Sequence, residues 1–207
     1  MQIDKNICLV CLKEIKEKGI RFLLEKKVYV CQECLNKMAP KIKKITINDI
    51  HGYGFYEYNS EIQSLIYKYK GAYDVSLSNV LLNHFTNFIK LLYLDFVFVP
   101  VPSYAKADEK RGFNHVIEIA KSLNLKIVDC LIKTSDVKQA NLNNKKRKEI
   151  KNYIALKDDE KEKLKNKKVV IFDDILTTGS TMKACLELIK KCEVKEIKFM
   201  IVAYTRR

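Results

Sequence analysis

The chain has 207 residues, with 39 Lys and Arg against 25 Asp and Glu, and the surplus of +14 makes phosphates, nucleic acids and anionic lipid heads the partners to consider first. Apolar residues at 47% and charged residues at 31%, with only six glycines and three prolines, exclude a disordered, collagen-like or low-complexity protein. No membrane insertion is expected, because the most apolar region, Phe85–Val101, is cut by Lys90 and Asp95 and punctuated by Pro100 and Pro102.

Cys8, Cys11, Cys31 and Cys34 crowd the start of the chain. The first apolar stretch is short and already holds two of them, so no secretory signal is read and a cytoplasmic location is expected, where cysteines stay reduced. Two C-x2-C pairs can supply four thiolates in a tetrahedron, the closed geometry of structural zinc. Redox pairs are the other reading of C-x2-C, but their βαβ context is missing here. A segment this small buries too little to fold alone, so Zn²⁺ would supply much of its folding free energy. The basic run Lys41, Lys43 and Lys44 reads as a linker and sets a boundary near residue 45, giving a zinc-binding module over 1–45 and a second domain over 46–207.

Tyr53–Tyr58 reads as a strand. Ser60 and Gln63 form a capping box ahead of Ile62, Leu65, Ile66 and Tyr69 at helical spacing, and Gly71 stops that helix. One long helix is expected over Val75–Leu94. Phe96–Val101 is an unbroken apolar run ended by Pro102, which suits a strand buried on both faces. Phe113, Val116, Ile117, Ala120 and Leu123 mark an amphipathic helix, followed by short strands at Ile127–Ile132 and Tyr153–Leu156. Val169–Phe172 is a buried strand, Ser180 to Cys192 a helix, and Ile197–Tyr204 a last strand. Cys130, Cys185 and Cys192 read as core residues, and His84 and His115 as packing or surface histidines. Buried strands alternating with helices give an α/β fold whose parallel or mixed sheet is covered on both faces, with ligands bound beyond the C-terminal strand ends.

Val169 to Thr181 is the most informative stretch. Four apolar residues run into Asp173 and Asp174, then a hydroxyl-rich turn hinges on Gly179 and opens a helix. Backbone N–H groups at a helix start, with the hydroxyls of Thr177, Thr178, Ser180 and Thr181, make a cradle for a phosphate. The two carboxylates can accept hydrogen bonds from vicinal sugar hydroxyls and help hold a divalent cation. A capped helix after two solvated acids is the plainer reading, but adjacent like charges at a buried strand end cost energy without a ligand. A sugar phosphate fits both halves at once.

Hydrophobic residues, two acids and a Thr/Gly-rich loop resemble the fingerprint of type I phosphoribosyltransferases. By that resemblance Asp173 and Asp174 contact the ribose hydroxyls of phosphoribosyl diphosphate (PRPP), and Thr177, Thr178, Gly179, Ser180 and Thr181 hold its 5′-phosphate. Other segments narrow the likeness: V-P-V-P at Val99–Pro102, R-G-F-N at Arg111–Asn114, and K-Q-x-x-L with a following R and N (Lys138, Gln139, Leu142, Arg147, Asn152). With the aspartate loop and Tyr67–Gly71, they resemble the ComF family, in which a four-cysteine zinc finger precedes a phosphoribosyltransferase domain. The resemblance implies that fold, PRPP bound with Mg²⁺, and pyrophosphate contacts from Ser103, Tyr104, Lys106, Lys110 and Arg111. It implies further a flap carrying Lys138 and Arg147, and, for a catalyst, substitution at the ribose C1. The chain departs from the family's arginine-rich run before R-G-F-N, having Ala107, Asp108 and Glu109 there. The implied role is natural transformation, with incoming single-stranded DNA and other competence proteins, such as a DNA-translocating helicase, as partners. The alternative is a non-catalytic nucleic-acid-binding accessory whose PRPP site is a sensor or a relic. The basic segment Lys138–Lys151 serves either as a lid over phosphates, as a contact to a nucleic-acid backbone, or as a solvated helix face.

Overall fold

The computed structural model describes residues 7–16, 27–133, 153–157 and 160–206, so Lys138, Gln139, Leu142, Arg147 and Asn152 lie outside the described residues. The described strands are β1 (Pro40–Ile47), β2 (Ile50–Glu57), β3 (Phe96–Pro100), β4 (Leu131–Lys133), β5 (Ile154–Leu156), β6 (Lys168–Leu176) and β7 (Glu196–Tyr204). The helices are α1 (Gln32–Met38), α2 (Ser60–Gly71), α3 (Ser78–Leu81), α4 (Thr86–Leu92), α5 (Ala105–Arg111), α6 (His115–Ser122), α7 (Lys161–Leu164) and α8 (Ser180–Lys190).

Five strands form the main sheet in the order β1-β2-β7-β6-β3. All neighbours are parallel except the β1–β2 hairpin, and β4 and β5 pair separately as an antiparallel ribbon. Strand alternation divides each central strand between two cores. Val170 and Phe172 join Phe96, Phe98, Met200 and Val202 on the face covered by α2, α3 and α6. Val169 and Ile171 join Val97, Val99, Phe199 and Ile201 on the face covered by α8, Leu164 and the β4–β5 ribbon. The cysteine segment shares the first core, through Cys8, Ile15, Val28, Val30, Leu35 and Met38.

Four expectations are corrected. The basic stretch Lys41–Lys44 is not a linker but part of β1, whose hairpin turns at Asn48 and Asp49 with positive φ of 47° and 64°, a conformation that Asn and Asp tolerate; residue 45 therefore lies mid-strand. Helix α2 is capped by Asn59, whose side chain accepts the Ile62 N–H at 2.8 Å, one residue before the expected Ser60 cap. The long helix over Val75–Leu94 is two short helices, the first led into by a 3-10 turn at Val75–Leu77 and parted from the second by another at Asn83–Phe85. Val80, Leu81 and Leu82 are all 0% exposed, and one α-helical stripe cannot bury three consecutive side chains, so the backbone turns at Leu82 (φ −130°). Strand β6 does not end at Phe172; it continues through both aspartates to Leu176, paired with β7.

Candidate functional site

Because Asp173 and Asp174 are consecutive on a strand, their side chains leave it on opposite faces. Asp174 is 6% exposed and follows Phe172 into the first core's side, where the Lys70 ammonium donates to its Oδ2 at 2.8 Å. His115 Nε2 lies 3.7 Å from Asp174 Oδ1. Burial would raise the Asp174 carboxyl, but Lys70 and His115 outweigh it and hold it well below the usual carboxylate range. Among the described residues Asp173 makes no such ion pair. Burial and then the charge of Asp174 push it up to about 8, although its Oδ1 accepts the Asp174 N–H at 2.9 Å. The pair thus holds one proton at neutral pH, and the reading of two solvated acids does not apply.

The loop after β6 turns on Gly179 (φ +74°), which precedes the first residue of α8. A side chain there would be strained by the left-handed backbone alone. Thr178 and Ser180 hydroxyls lie 3.1 Å apart, and Thr178 Oγ1 accepts the Ser180 N–H at 3.4 Å. From behind, Ile47 at the end of β1 reaches the Gly179 turn.

The third wall comes from the segment that follows β3 and from Arg111 of the R-G-F-N motif, each residue of which has a local task. Gly112 (φ +81°) ends α5, Phe113 stacks on Tyr69 with centroids 5.5 Å apart, and Asn114 caps α6 by accepting from Val116 and Ile117 N–H. Arg111 donates to the Lys70 carbonyl (3.2 Å), to Asp108 Oδ1 (2.8 Å) and to His115 Nδ1 (3.3 Å). A guanidinium only donates, so Nδ1 accepts and the His115 proton sits on Nε2, facing Asp174. Burial holds the imidazole's pKa below its ordinary value, against the pull of Asp174. Asp108 also accepts from Ser103 Oγ and, at 2.9 Å, from Asn114 Nδ2.

These walls enclose a cavity of about 320 Å³, in the range of small-molecule sites. It brings together Asp173, Asp174, Thr177, Thr178, Gly179, Ser180 and Thr181 with Ser103, Tyr104 and Arg111. Lys106 and Lys110 are exposed on α5 and do not line it, while Lys138 and Arg147 lie outside the described residues. Sequence reasoning missed three ionisable lining residues. Lys70 sits in the Tyr67–Gly71 segment that carried the family likeness, His115 follows the Asn114 cap, and Lys133 ends β4 with no local signal. Behind the same loop is a second cavity of about 340 Å³, lined by Lys43, Lys44, Lys183 and Tyr204 among others.

Outside the lining of either cavity, the Sγ atoms of Cys8, Cys11, Cys31 and Cys34 all lie within 4.8 Å of one another, Cys11 and Cys31 at 3.9 Å. Tetrahedral Zn–S bonds of about 2.3 Å require edges of about 3.8 Å, so four soft donors at this spacing fit a zinc ion. The Cys31 N–H donates to Cys8 Sγ at 3.4 Å, and such backbone donors overcome burial to bring the Cys8 thiol down to about 7.

Residues 109–207 match the phosphoribosyl transferase domain family. The competence protein ComFC of Bacillus subtilis is 25% identical over 215 residues, covering 87% of each chain. The chain is thus similar to ComFC over most of its length. ComFC of Streptococcus pneumoniae is 24% identical over 149 residues, covering 69% of this chain and 63% of that protein. Among solved structures, adenine phosphoribosyltransferase from Saccharomyces cerevisiae aligns with 83% of this chain and 88% of its own at a TM-score of 0.43 and 13% identity, a likeness that assigns no residue. The matched domain holds the β6 aspartates, the loop and the central strands β6 and β7, and the fold is of the type I phosphoribosyltransferase class, preceded by the cysteine cluster. Among the described residues, no helix is long and apolar enough to cross a membrane.

Proposed function

We propose that the β6 cavity binds PRPP, its 5′-phosphate on the Thr177–Thr181 loop and its ribose hydroxyls on the aspartate pair, in a protein that serves natural transformation. The observation that carries this reading is the convergence of that loop and those acids on one cavity. Mg²⁺ fits the site as the ligand's companion. Asp174 is already engaged by Lys70 and Asp173 retains a proton, so the protein offers no ready all-carboxylate cage. Mg²⁺ prefers diphosphate oxygens and its own waters, and would neutralise part of the diphosphate charge when bound. Asp173 and Asp174 orient the ribose, and the Gly179 turn supplies N–H donors to the phosphate. Titration calorimetry of PRPP with Mg²⁺ tests the reading: wild type gives saturable heat and Asp174→Asn loses it, whereas no heat with wild type, or unchanged binding in the variant, overturns it.

A second reading places nucleic-acid phosphates on the second cavity, favoured by the concentration of Lys43, Lys44 and Lys183 there. Single-stranded DNA binding that weakens with salt and with charge reversal at these lysines supports it; indifference to both refutes it.

A further inference from the structure

With a 5′-phosphate on the Thr177–Thr181 loop and a ribose over Asp173 and Asp174, the remaining wall of the cavity is Pro102–Tyr104, Arg111, Lys70 and Lys133. The C1 substituent of the ligand, a diphosphate, has this wall to meet. The α5 segment is poorly equipped for it. Lys106 and Lys110 do not line the cavity, and Arg111 is spent inside the protein on Asp108, His115 and the Lys70 carbonyl. Its guanidinium side chain is only 10% exposed, and its charge is already offset by Asp108.

Two ammonium groups from other elements face the same wall. Lys133, at the end of β4 and paired with Ile154 of β5, sets its Nζ 4.3 Å from the Tyr104 ring centroid. Burial lowers its pKa, so a multiply charged anion beside it would relieve a desolvated cation. Lys70 reaches Asp174 from α2 across 104 residues of sequence. Once sugar hydroxyls donate to Asp174, that ammonium can turn part of its three donors to an adjoining anion.

From this placement we infer that Lys70 and Lys133, not the α5 lysines, are the residues that hold the ligand's diphosphate. Lys133 contacts the diphosphate alone, and Lys70 is shared between it and Asp174. The inference rests on the PRPP reading and names the cations of that site.

The test compares PRPP with ribose 5-phosphate, which keeps the sugar and 5′-phosphate and lacks the diphosphate, titrated with Mg²⁺ into the full-length zinc-loaded chain. Lys133→Met is expected to weaken PRPP about tenfold or more, the scale of a hydrogen bond to a charged group, while ribose 5-phosphate changes less than about twofold. Lys133→Arg keeps the charge and restores PRPP to within a few-fold, which separates a lost contact from a damaged fold. Lys70→Met weakens PRPP more than ribose 5-phosphate, and Lys110→Met alters neither. Equal losses for both ligands in Lys133→Met, no loss at all, or a selective PRPP loss in Lys110→Met overturns the lysine assignment and leaves the PRPP site standing. Failure of wild type to bind either ligand overturns the assignment and the site together.

Discussion

Asp173→Asn is expected to stabilise the ligand-free protein, and to do so more strongly as pH rises. The carboxyl is held at about 8 in the fold against 3.8 in the unfolded chain. Below about pH 4 both states carry the proton, and the group's contribution to stability is fully present. From there to about pH 8 the unfolded chain releases the proton while the folded protein keeps it, so wild type loses about 1.4 kcal/mol for each pH unit. Above about pH 8 the loss is complete. At pH 7 the upper bound is about 4 kcal/mol, from roughly three pH units at that slope. Asparagine retains the Oδ1 acceptor that takes the Asp174 N–H at 2.9 Å and deletes only the titration. Urea unfolding of zinc-loaded protein without ligand, at intervals from pH 5 to pH 8, reads the difference. At about 2–4 °C per kcal/mol for a chain of this size, thermal melts show the variant higher by up to about 10 °C at pH 7 and by less than half of that at pH 5. A stability difference that stays flat across this window, or a variant less stable than wild type at pH 8, would refute the argument that the aspartate pair traps a proton.

The partner residue behaves in the opposite sense: Asp174→Asn strands the Lys70 ammonium, and a loss of about 1–3 kcal/mol in denaturant unfolding at pH 7 is expected. Because Asp174 is held well below its usual range, that loss is constant from pH 5 to pH 8 and shrinks only as pH falls below about 4, a dependence read by extending the urea series into acid. Cys34→Ser is expected to abolish stoichiometric zinc in metal analysis and to lower the melting temperature of the whole chain, since Leu35 and Met38 share a core with Phe55 and Tyr56. Gly52→Ala brings a Cβ to 2.4 Å from the Phe199 carbonyl oxygen, so β2 and β7 must separate, and destabilisation at or above the usual 1–3 kcal/mol of overpacking, roughly, is expected in thermal unfolding.

The parts of the fold legible in the sequence were those with a local cause. Phe96–Val101 and Val169–Phe172 read as buried strands because both their faces are apolar, and the sheet buries both, the first as Phe96–Pro100. The turn from Asp173 to Thr181 was legible as the passage from a strand into a helix, and one cavity gathers all seven of its named residues. Strand β1 was not legible: its burial runs from exposed lysines to a single buried Ile47, so edge position rather than hydrophobic pattern makes it a strand. The breaks between Val75 and Leu92 arise from the need to bury Val80, Leu81 and Leu82 together, a demand set by the sheet they cover. Lys70 and Lys133 escaped notice for a related reason. A lone lysine on a helix or ribbon has no local mark of function, and only tertiary folding brings these two to Asp174 and Tyr104.

Strand β7 lies between β2 and β6 yet follows both in the chain. During synthesis the β1–β2 hairpin and the β3–β6 pair therefore leave the ribosome first, each showing a bare row of amide and carbonyl groups where β7 will go. The two halves of the nascent sheet gain their common partner only when residues 196–204 emerge, and with them the backbone that fixes the aspartates. A stall or premature stop upstream of that strand would leave two sticky half-sheets in place of a ligand site, the sort of species that chaperones capture.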